Sequence, residues 1–261
     1  MGDDREDREA WAKRLGPWFG VQLRLAEAVA GRTGEPLGEA VTRLTNLHRR
    51  FGLGTPGEGP VPPLWSEYVT GLEALAAGVS RLAWTQTCFA RGPIEARSPE
   101  KLYFGCFSCE PPDEDGAVKI HFNNEDSADG VGPLSSRKTE RRLAEARAMF
   151  ARVREAWPKA QSVRGHSWLY NLEAYRRLFP EAYGASRVAP EIVRLNGTSS
   201  WGQLIDHAWQ VKPEVARVFL QNLERLDPER PWLVFPLRAL ATHAPIELFF
   251  EFYGLRASAG V

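Results

Sequence analysis

The chain has 261 residues, of which 43% are hydrophobic, with 33 basic side chains against 33 acidic ones. A chain of this length can bury roughly three quarters of its unfolded surface without disulfides or metals. The balanced charge offers no basic surface for nucleic acid, and no stretch approaches the roughly 18 apolar residues of a membrane span. The first residues, Met1–Asp7, lack the basic-then-apolar order of a signal peptide. The sequence therefore predicts a cytoplasmic protein that binds neither nucleic acid nor membranes.

The cysteines and histidines give no indication of a metal or redox site. Three cysteines without a secretion signal favour reduced thiols. Cys106 and Cys109 form a C-x-x-C, but they lie in a run with strand composition, Lys101–Cys109, where residues three apart point to opposite faces. None of the five histidines has the short spacing of a metal-ligand pair. We therefore expect ordinary half-buried cysteines and no metal.

The first 92 residues show apolar side chains at helical spacing. Gly16–Pro17 predicts a break, with Pro17 starting a new helix. Further apolar stripes at 37–51 and 65–82 predict one helix each, and a Gly- and Pro-rich linker at 52–63 separates them. We expect residues 1–92 to form a helical N-terminal domain.

From Leu102 onward the hydrophobic period changes to two. Strands at 102–106 and 118–122, joined by turn residues at 111–116, predict a β-hairpin. The elements predicted after the hairpin are a helix at 143–157, a strand at 161–170, a possible strand at 192–195, helices at 201–208 and 213–226, a strand at 232–235 and an apolar segment from 245 to 254. The predicted fold class is α+β, with a helical unit followed by a mixed β/α domain at 93–261.

The segment Gly165–Asn171 places polar and aromatic side chains at the end of a predicted strand, where such folds expose their binding loops. His166 is a candidate general base, because imidazole titrates near neutral pH. Ser167 points away from His166 on a strand, and the G-x-S-x-G elbow is absent, so a base without covalent catalysis is the simpler hypothesis. The alternative is a polar strand end whose Trp168 belongs to the core.

His121 is the second candidate base. It alternates away from the apolar residues of its strand and leads into a loop rich in Asn, Asp and Glu, which begins at Asn123. Such a loop can supply hydrogen bonds to a ligand, although Asn and Asp also form ordinary turns. By contrast, His48 lies beside two arginines and is expected on a solvated helix face.

The stretch from Val118 to Tyr183 resembles a bacterial acyltransferase family with a GNAT-like C-terminal domain. The segments that carry the resemblance are Val118–Phe122, Pro133–Ser135, a helix with Ala146, Met149 and Phe150, Trp157–Pro158, His166–Tyr170 and Leu178–Pro180. The helical N-terminal third also fits the arrangement of that family. The resemblance implies a GNAT-like α+β domain that binds a CoA or pantetheine thioester as co-substrate.

Two functional hypotheses from different classes follow. In the first, an acyltransferase moves an acyl group from CoA or an acyl carrier protein to an amine or hydroxyl of a small molecule, with His166 or His121 as the base and no tightly bound cofactor. The residues expected to bind the substrate are Asn123, Ser167, Trp168, Tyr170 and Asn171. In the second, an aromatic cleft between the two domains binds a small molecule or a partner without turnover. A cofactor-free isomerase or hydrolase that uses His166 is a further alternative.

Overall fold

The computed structural model describes residues 3–94, 97–197 and 199–255, and their side chains except those of residues 3–6 and 79. The helices, in chain order, are α1 (Asp3–Thr33), α2 (Leu37–Leu44), α3 (Leu47–Arg50), α4 (Pro63–Ala74), α5 (Val79–Arg91), α6 (Thr139–Ala156), α7 (Glu173–Arg176), α8 (Glu181–Ala185), α9 (Pro213–Glu224) and α10 (Ile246–Phe252). The strands are β1 (Leu102–Phe104), β2 (Phe107–Cys109), β3 (Ala117–Phe122), β4 (Ser162–Ser167) and β5 (Leu240–Pro245). The predicted α+β class with helices first is confirmed. Among the described residues, no helix has both the length and the apolar character needed to cross a membrane.

The chain divides into two compact units, each built from two segments. Residues 1–96 and 192–238 form the helical unit, and residues 97–191 and 239–261 form the sheet unit. This division differs from the predicted domain at 93–261, because residues 192–238 pack with the N-terminal helices. The Trp18 indole donates to the carbonyl of Trp201 at 3.2 Å, and the Arg32 guanidinium donates to the carbonyl of Glu224 at 2.9 Å.

Helix α1 runs through Pro17 without interruption, so the predicted break at Gly16–Pro17 is wrong. Proline removes one helical hydrogen bond and is costly inside a helix. However, Leu15, Trp18 and Phe19 on either side of it are all buried in the helical unit. Tertiary packing of an apolar face supplies most of a helix's stability, and here it holds α1 together.

The two later stripes of the helical unit each form two helices instead of one. The first is interrupted at Asn46, whose backbone N–H donates to the Gln22 side chain at 3.0 Å instead of to a carbonyl of the preceding helical turn. The second is interrupted before Gly78, whose positive φ of 82° is compatible with glycine. The linker at 52–63 is irregular up to Pro62, as predicted.

His48 is buried, with 4% of its surface exposed, so its expected position on a solvated face is wrong. Its Nδ1 lies 2.9 Å from the carbonyl oxygen of Gly54, and its ring packs edge-on against Trp65. Burial lowers the pKa of His48. A neutral imidazole at this position can therefore form part of the packed interior.

The sheet unit contains one five-stranded sheet in the order β1-β2-β3-β4-β5. The first three strands are antiparallel, β3 and β4 are parallel through the crossover helix α6, and β5 pairs antiparallel with β4. The run Lys101–Cys109 is a tight hairpin rather than the predicted single strand, because Gly105 with φ 56° turns the chain between β1 and β2. The three cysteines are free, as predicted, but they are fully buried rather than half-buried.

Two predicted strands of the C-terminal region are absent from the described structure. Residues 192–195 are irregular, and residues 231–234 form a 3-10 helix. The apolar composition of the second segment reflects core packing, since Phe235 lies edge-on against Trp201 with 4.8 Å between the ring centroids. The segment predicted as a helix at 201–208 is helical only as a 3-10 turn over Trp201–Leu204.

Helix α6 is fixed to the sheet by a buried ion-pair cluster. The Arg142 guanidinium is 1% exposed and lies 2.7 Å from both the Asp126 and the Glu145 carboxylates. It also contacts the Sγ of Cys106 in the β1–β2 turn. Glu145 in turn accepts the backbone N–H of Cys106 at 3.0 Å. This Arg142 cluster ties α6 to the turn and to the loop after β3.

Gly165 allows a close contact with two tyrosines in the core of the sheet unit. A Cβ at this position would overlap the hydroxyl oxygen of Tyr170 and lie 2.6 Å from that of Tyr183. We expect Gly165→Ala to destabilise the protein by about 1–3 kcal/mol through overpacking, measured by urea unfolding. Gly31→Ala in α1 is the matched control, because a Cβ added at this position would have nothing within 4 Å. Alanine should there stabilise the helix by up to about 1 kcal/mol, and equal effects of the two changes would contradict this account.

Candidate active site

Polar side chains of four adjacent strands share one face of the sheet. The register pairs Ser108 with His121, Lys119 with Arg164, and Arg164 with His243, and alternate residues of a strand share a face. The residues that define this polar sheet face are Ser108, Glu110, Lys119, His121, Arg164, His166 and His243. The opposite face carries Val118, Ile120 and Val163, which are buried in the core.

His121 and Glu110 form the best-defined pair on the polar sheet face. The Nε2 of His121 lies 2.8 Å from the Oε1 of Glu110. The same carboxylate lies 2.9 Å from the ammonium of Lys101 and 3.6 Å from that of Lys119. The hydrogen bond from His121, followed by that from Lys101, holds the pKa of Glu110 far below its usual range. Glu110 is therefore ionised at neutral pH.

The ionised carboxylate determines which ring nitrogen of His121 carries the proton. A carboxylate can only accept hydrogen bonds, so the Nε2 of His121 must be its donor. Burial lowers the pKa of His121 and outweighs the opposing effect of Glu110. At neutral pH the ring is therefore uncharged, with an unprotonated Nδ1. A neutral imidazole oriented by a carboxylate is the arrangement expected of a general base.

His166 lies level with His121 on the neighbouring parallel strand. Each is two residues beyond the register pair Lys119 and Arg164. The Nε2 of His166 is buried and has no hydrogen-bond partner within the described ranges. Burial lowers the pKa of His166, and the charge of Lys119 lowers it further. The site therefore presents a second neutral imidazole.

Strands β3 and β4 stop pairing with each other halfway along their length. Their common ladder covers Ala117–Lys119 with Ser162–Arg164. Beyond it β3 pairs with β2, and β4 stays paired with β5, as it is along its whole length. The β3–β4 fork is defined here as Ile120–Phe122 and Gly165–Ser167, the two segments beyond that ladder. The carbonyl of Lys119 and the N–H of Asn123 bond toward β2. Since backbone groups of successive strand residues point to opposite sides, those of Ile120 and Phe122 point toward β4.

The predicted substrate-binding residues divide into two groups. Asn123 lies beside the polar sheet face, where its Nδ2 donates to the Oγ of Ser108 at 3.2 Å. Ser108 is 3% exposed and was not among the predicted site residues. Thus β3 carries His121, β4 carries His166, and Asn123 directly follows β3.

The remaining predicted residues make local contacts after β4. Ser167 accepts the backbone N–H two residues further on and caps the 3-10 turn Trp168–Asn171. The side chain of Asn171 donates to the carbonyl of Trp168 at 2.7 Å. Tyr170 is 1% exposed and shares a 2.7 Å hydrogen bond with the hydroxyl of Tyr183. These contacts hold Ser167, Tyr170 and Asn171 in the turn that follows β4, beyond the open end of the fork.

Glu110, like Ser108, was not predicted as a site residue, although the sequence contained an indication of it. A turn at 111–116 in an antiparallel hairpin places Glu110 opposite Lys119, on the face that also carries His121. Across residues 3–94, 97–197 and 199–255, no three His, Cys, Asp or Glu side chains are grouped so that they could hold a metal. The carboxylate of Glu110 instead orients an imidazole.

Comparisons with protein-family models, with curated proteins and with solved structures gave no match for this chain. The chemistry of the site is therefore the basis for assigning a function. Its parts are the imidazole of His121 held by Glu110, the second imidazole of His166, and the fork between the strands that carry them.

Proposed function

We propose that this protein is an acyltransferase-like enzyme that moves an acyl group from a thioester to an amine or hydroxyl acceptor. The donor is CoA or a carrier protein, and His121 acts as the general base. The observation that carries the proposal is the 2.8 Å contact between His121 Nε2 and Glu110 Oε1, which leaves Nδ1 as a base at neutral pH. His166 on the other side of the fork is the second candidate base.

The reaction follows from the state of these groups. The Nδ1 of His121 takes a proton from the acceptor, whose nitrogen or oxygen bonds to the thioester carbonyl carbon. The carbon–sulfur bond then breaks, and the thiolate leaves with the proton that His121 received. Glu110 stabilises the transient imidazolium, because its carboxylate remains hydrogen-bonded to Nε2 throughout.

The β3–β4 fork supports a pantetheine thioester as the donor. A pantetheine arm contains amide groups, which can hydrogen-bond to the backbone of an extended strand as a peptide does. The Ile120 N–H is used by the last pair of the β3–β4 ladder, whereas the Ile120 carbonyl and the backbone groups of Phe122 point toward the fork, next to His121. This arrangement also supports the GNAT-like domain that the sequence resemblance implies.

The start of α6 favours recognition through the pantetheine arm rather than through phosphate groups. The ammonium of Lys138 lies 3.2 Å from Asp126 and 2.7 Å from Asp129, and also bonds the carbonyl of Val131. The Asp126 carboxylate additionally pairs with Arg142. Acidic side chains thus neutralise Lys138 and Arg142 at this helix start, which weakens its attraction for an anion such as pyrophosphate. We therefore expect donors to be selected mainly by their acyl-pantetheine portion.

The experiment combines donor binding with turnover. Thermal unfolding is followed with acetyl-CoA, acetyl-pantetheine and free CoA, and thiol release is measured with a panel of primary amines and alcohols. A ligand at one hundred times its dissociation constant stabilises the fold by about 2.7 kcal/mol. We expect stabilisation by both acetyl thioesters and repeated thiol release. Binding without thiol release would overturn the proposal in favour of a non-enzymatic binding module, and the absence of binding would overturn both.

A further inference from the structure

We infer that Ser108 is a nucleophile and that the acyl group passes through an ester on its Oγ before it reaches the acceptor. The inference rests on the proposed acyl transfer and replaces the direct attack of the acceptor on the thioester with two steps through a serine ester. It comes from the cross-strand arrangement of Ser108, His121 and Glu110, a hydroxyl, an imidazole and a carboxylate on the same face of adjacent strands.

The register places the hydroxyl and the imidazole side by side. Ser108 and His121 are direct partners in the antiparallel β2–β3 ladder, so their Cβ atoms lie about 4.5–5.5 Å apart on the same face. Glu110 is two residues from Ser108 along the chain and shares that face, from which it reaches diagonally to His121. A nucleophile, a base and a group that orients the base are the three parts of an activated nucleophile.

The hydrogen bonds orient each group for its role. Asn123 Nδ2 donates to the Oγ of Ser108, which therefore acts as an acceptor there and retains its own hydrogen for donation. His121 uses Nε2 to donate to Glu110, which leaves Nδ1 as its acceptor. When Ser108 loses its proton, the amide of Asn123 remains as a donor to the developing negative charge. The burial of Ser108 shields an acyl ester from water and favours a small acyl group.

The two steps balance in atoms and charge. First, Ser108 Oγ bonds to the thioester carbonyl carbon while His121 Nδ1 takes the hydroxyl proton. The carbon–sulfur bond breaks, and the thiolate leaves with that proton. Second, the acceptor amine or hydroxyl gives its proton to His121 Nδ1 and bonds to the ester carbon. The bond between this carbon and Ser108 Oγ then breaks, and Ser108 regains the proton.

The experiment detects the ester directly. The full chain is mixed with p-nitrophenyl acetate or acetyl-pantetheine without an acceptor, quenched in acid, and analysed by intact mass and peptide mapping. We expect one acetyl group on the peptide that contains Ser108. Ser108→Ala should remove this adduct and slow transfer about a thousandfold. Ser162→Ala is the matched control, because Ser162 is a buried serine of β4 that is 8% exposed. This variant should keep the adduct and the wild-type transfer rate. Ser108→Cys should restore the adduct as a thioester.

The outcomes separate this inference from the proposed function. If Ser108→Ala folds with an unchanged melting temperature and transfers acyl groups at the wild-type rate, the covalent step is wrong and direct transfer by His121 stands. An acetyl group found only on Lys101 or Lys119 would also overturn the inference. If the wild-type protein releases no thiol from acetyl-CoA or acetyl-pantetheine with any acceptor, the proposed function fails as well.

Discussion

Replacement of His121 with alanine is expected to lower kcat/KM for acyl transfer about 10²–10⁴-fold, the usual contribution of a positioned general base. The physical reason is the loss of the unprotonated Nδ1 that Glu110 orients at neutral pH. His243→Ala is the matched control, because His243 is an exposed histidine that lies on β5, on the same face of the sheet as His121. We expect no measurable change in its transfer rate.

The pH dependence follows from the direction of the pKa shift. Burial lowers the pKa of His121 below 6.5, so the base form persists above that pH and is lost as the pH falls through the lowered value. Transfer should therefore be constant near neutrality and decline only on the acid side. In Glu110→Gln the charge that raises the pKa of His121 is absent, so the acid limb should move to lower pH while the maximal rate falls.

Comparison of His121→Ala with His166→Ala decides which of the two histidines at the fork is the base. If His166→Ala abolishes transfer and His121→Ala does not, the base is His166, and the His121–Glu110 pair only stabilises the sheet. If both variants are inactive and retain wild-type melting temperatures, both imidazoles act in the reaction. We expect the larger loss for His121, because Glu110 fixes its tautomer, whereas the Nε2 of His166 has no partner among the described residues.

Arg142→Met is expected to destabilise the protein by about 3–5 kcal/mol, measured by urea unfolding. The guanidinium is 1% exposed, and its removal leaves Asp126 and Glu145, which are 15% and 14% exposed, without their buried partner. The loop after β3 and the β1–β2 turn lose their common attachment to α6 at the same time. We therefore also expect faster hydrogen exchange at the backbone N–H of Cys106.

The neighbouring residue provides a matched control for Arg142. Arg141 is 65% exposed and lies 3.3 Å from Asp126 and 3.5 Å from Glu145, the same two carboxylates. Because solvent screens exposed ion pairs, Arg141→Met should cost less than about 1 kcal/mol. Similar losses for the two variants would show that burial does not determine the strength of the Arg142 cluster.

The elements with strong local patterns were predictable from the sequence. The amphipathic helix predicted at 143–157 corresponds to α6, and the alternating strand at 118–122 lies within β3. The pattern at 213–226 likewise predicted α9, because apolar side chains at helical spacing need only one packed face. These features depend on residues close together along the chain.

The features that were not predictable depend on tertiary contacts. Helix α1 continues through Pro17 because buried neighbours hold it, and His48 is buried because the chain folds back to Gly54 and Trp65. The candidate site shows the same limit. His121 was a candidate from its position on a strand, but its partnership with Glu110 requires the register of β2 against β3.

The most direct test of the site is the protonation state of His121, measured by nitrogen NMR of its ring at pH 7 and assigned by comparison with His121→Ala. We predict a neutral ring with the proton on Nε2 and none on Nδ1. In Glu110→Gln the ring should lose its preference for this tautomer. A ring that is charged at pH 7, or one that carries its proton on Nδ1, would contradict the role of His121 as the base.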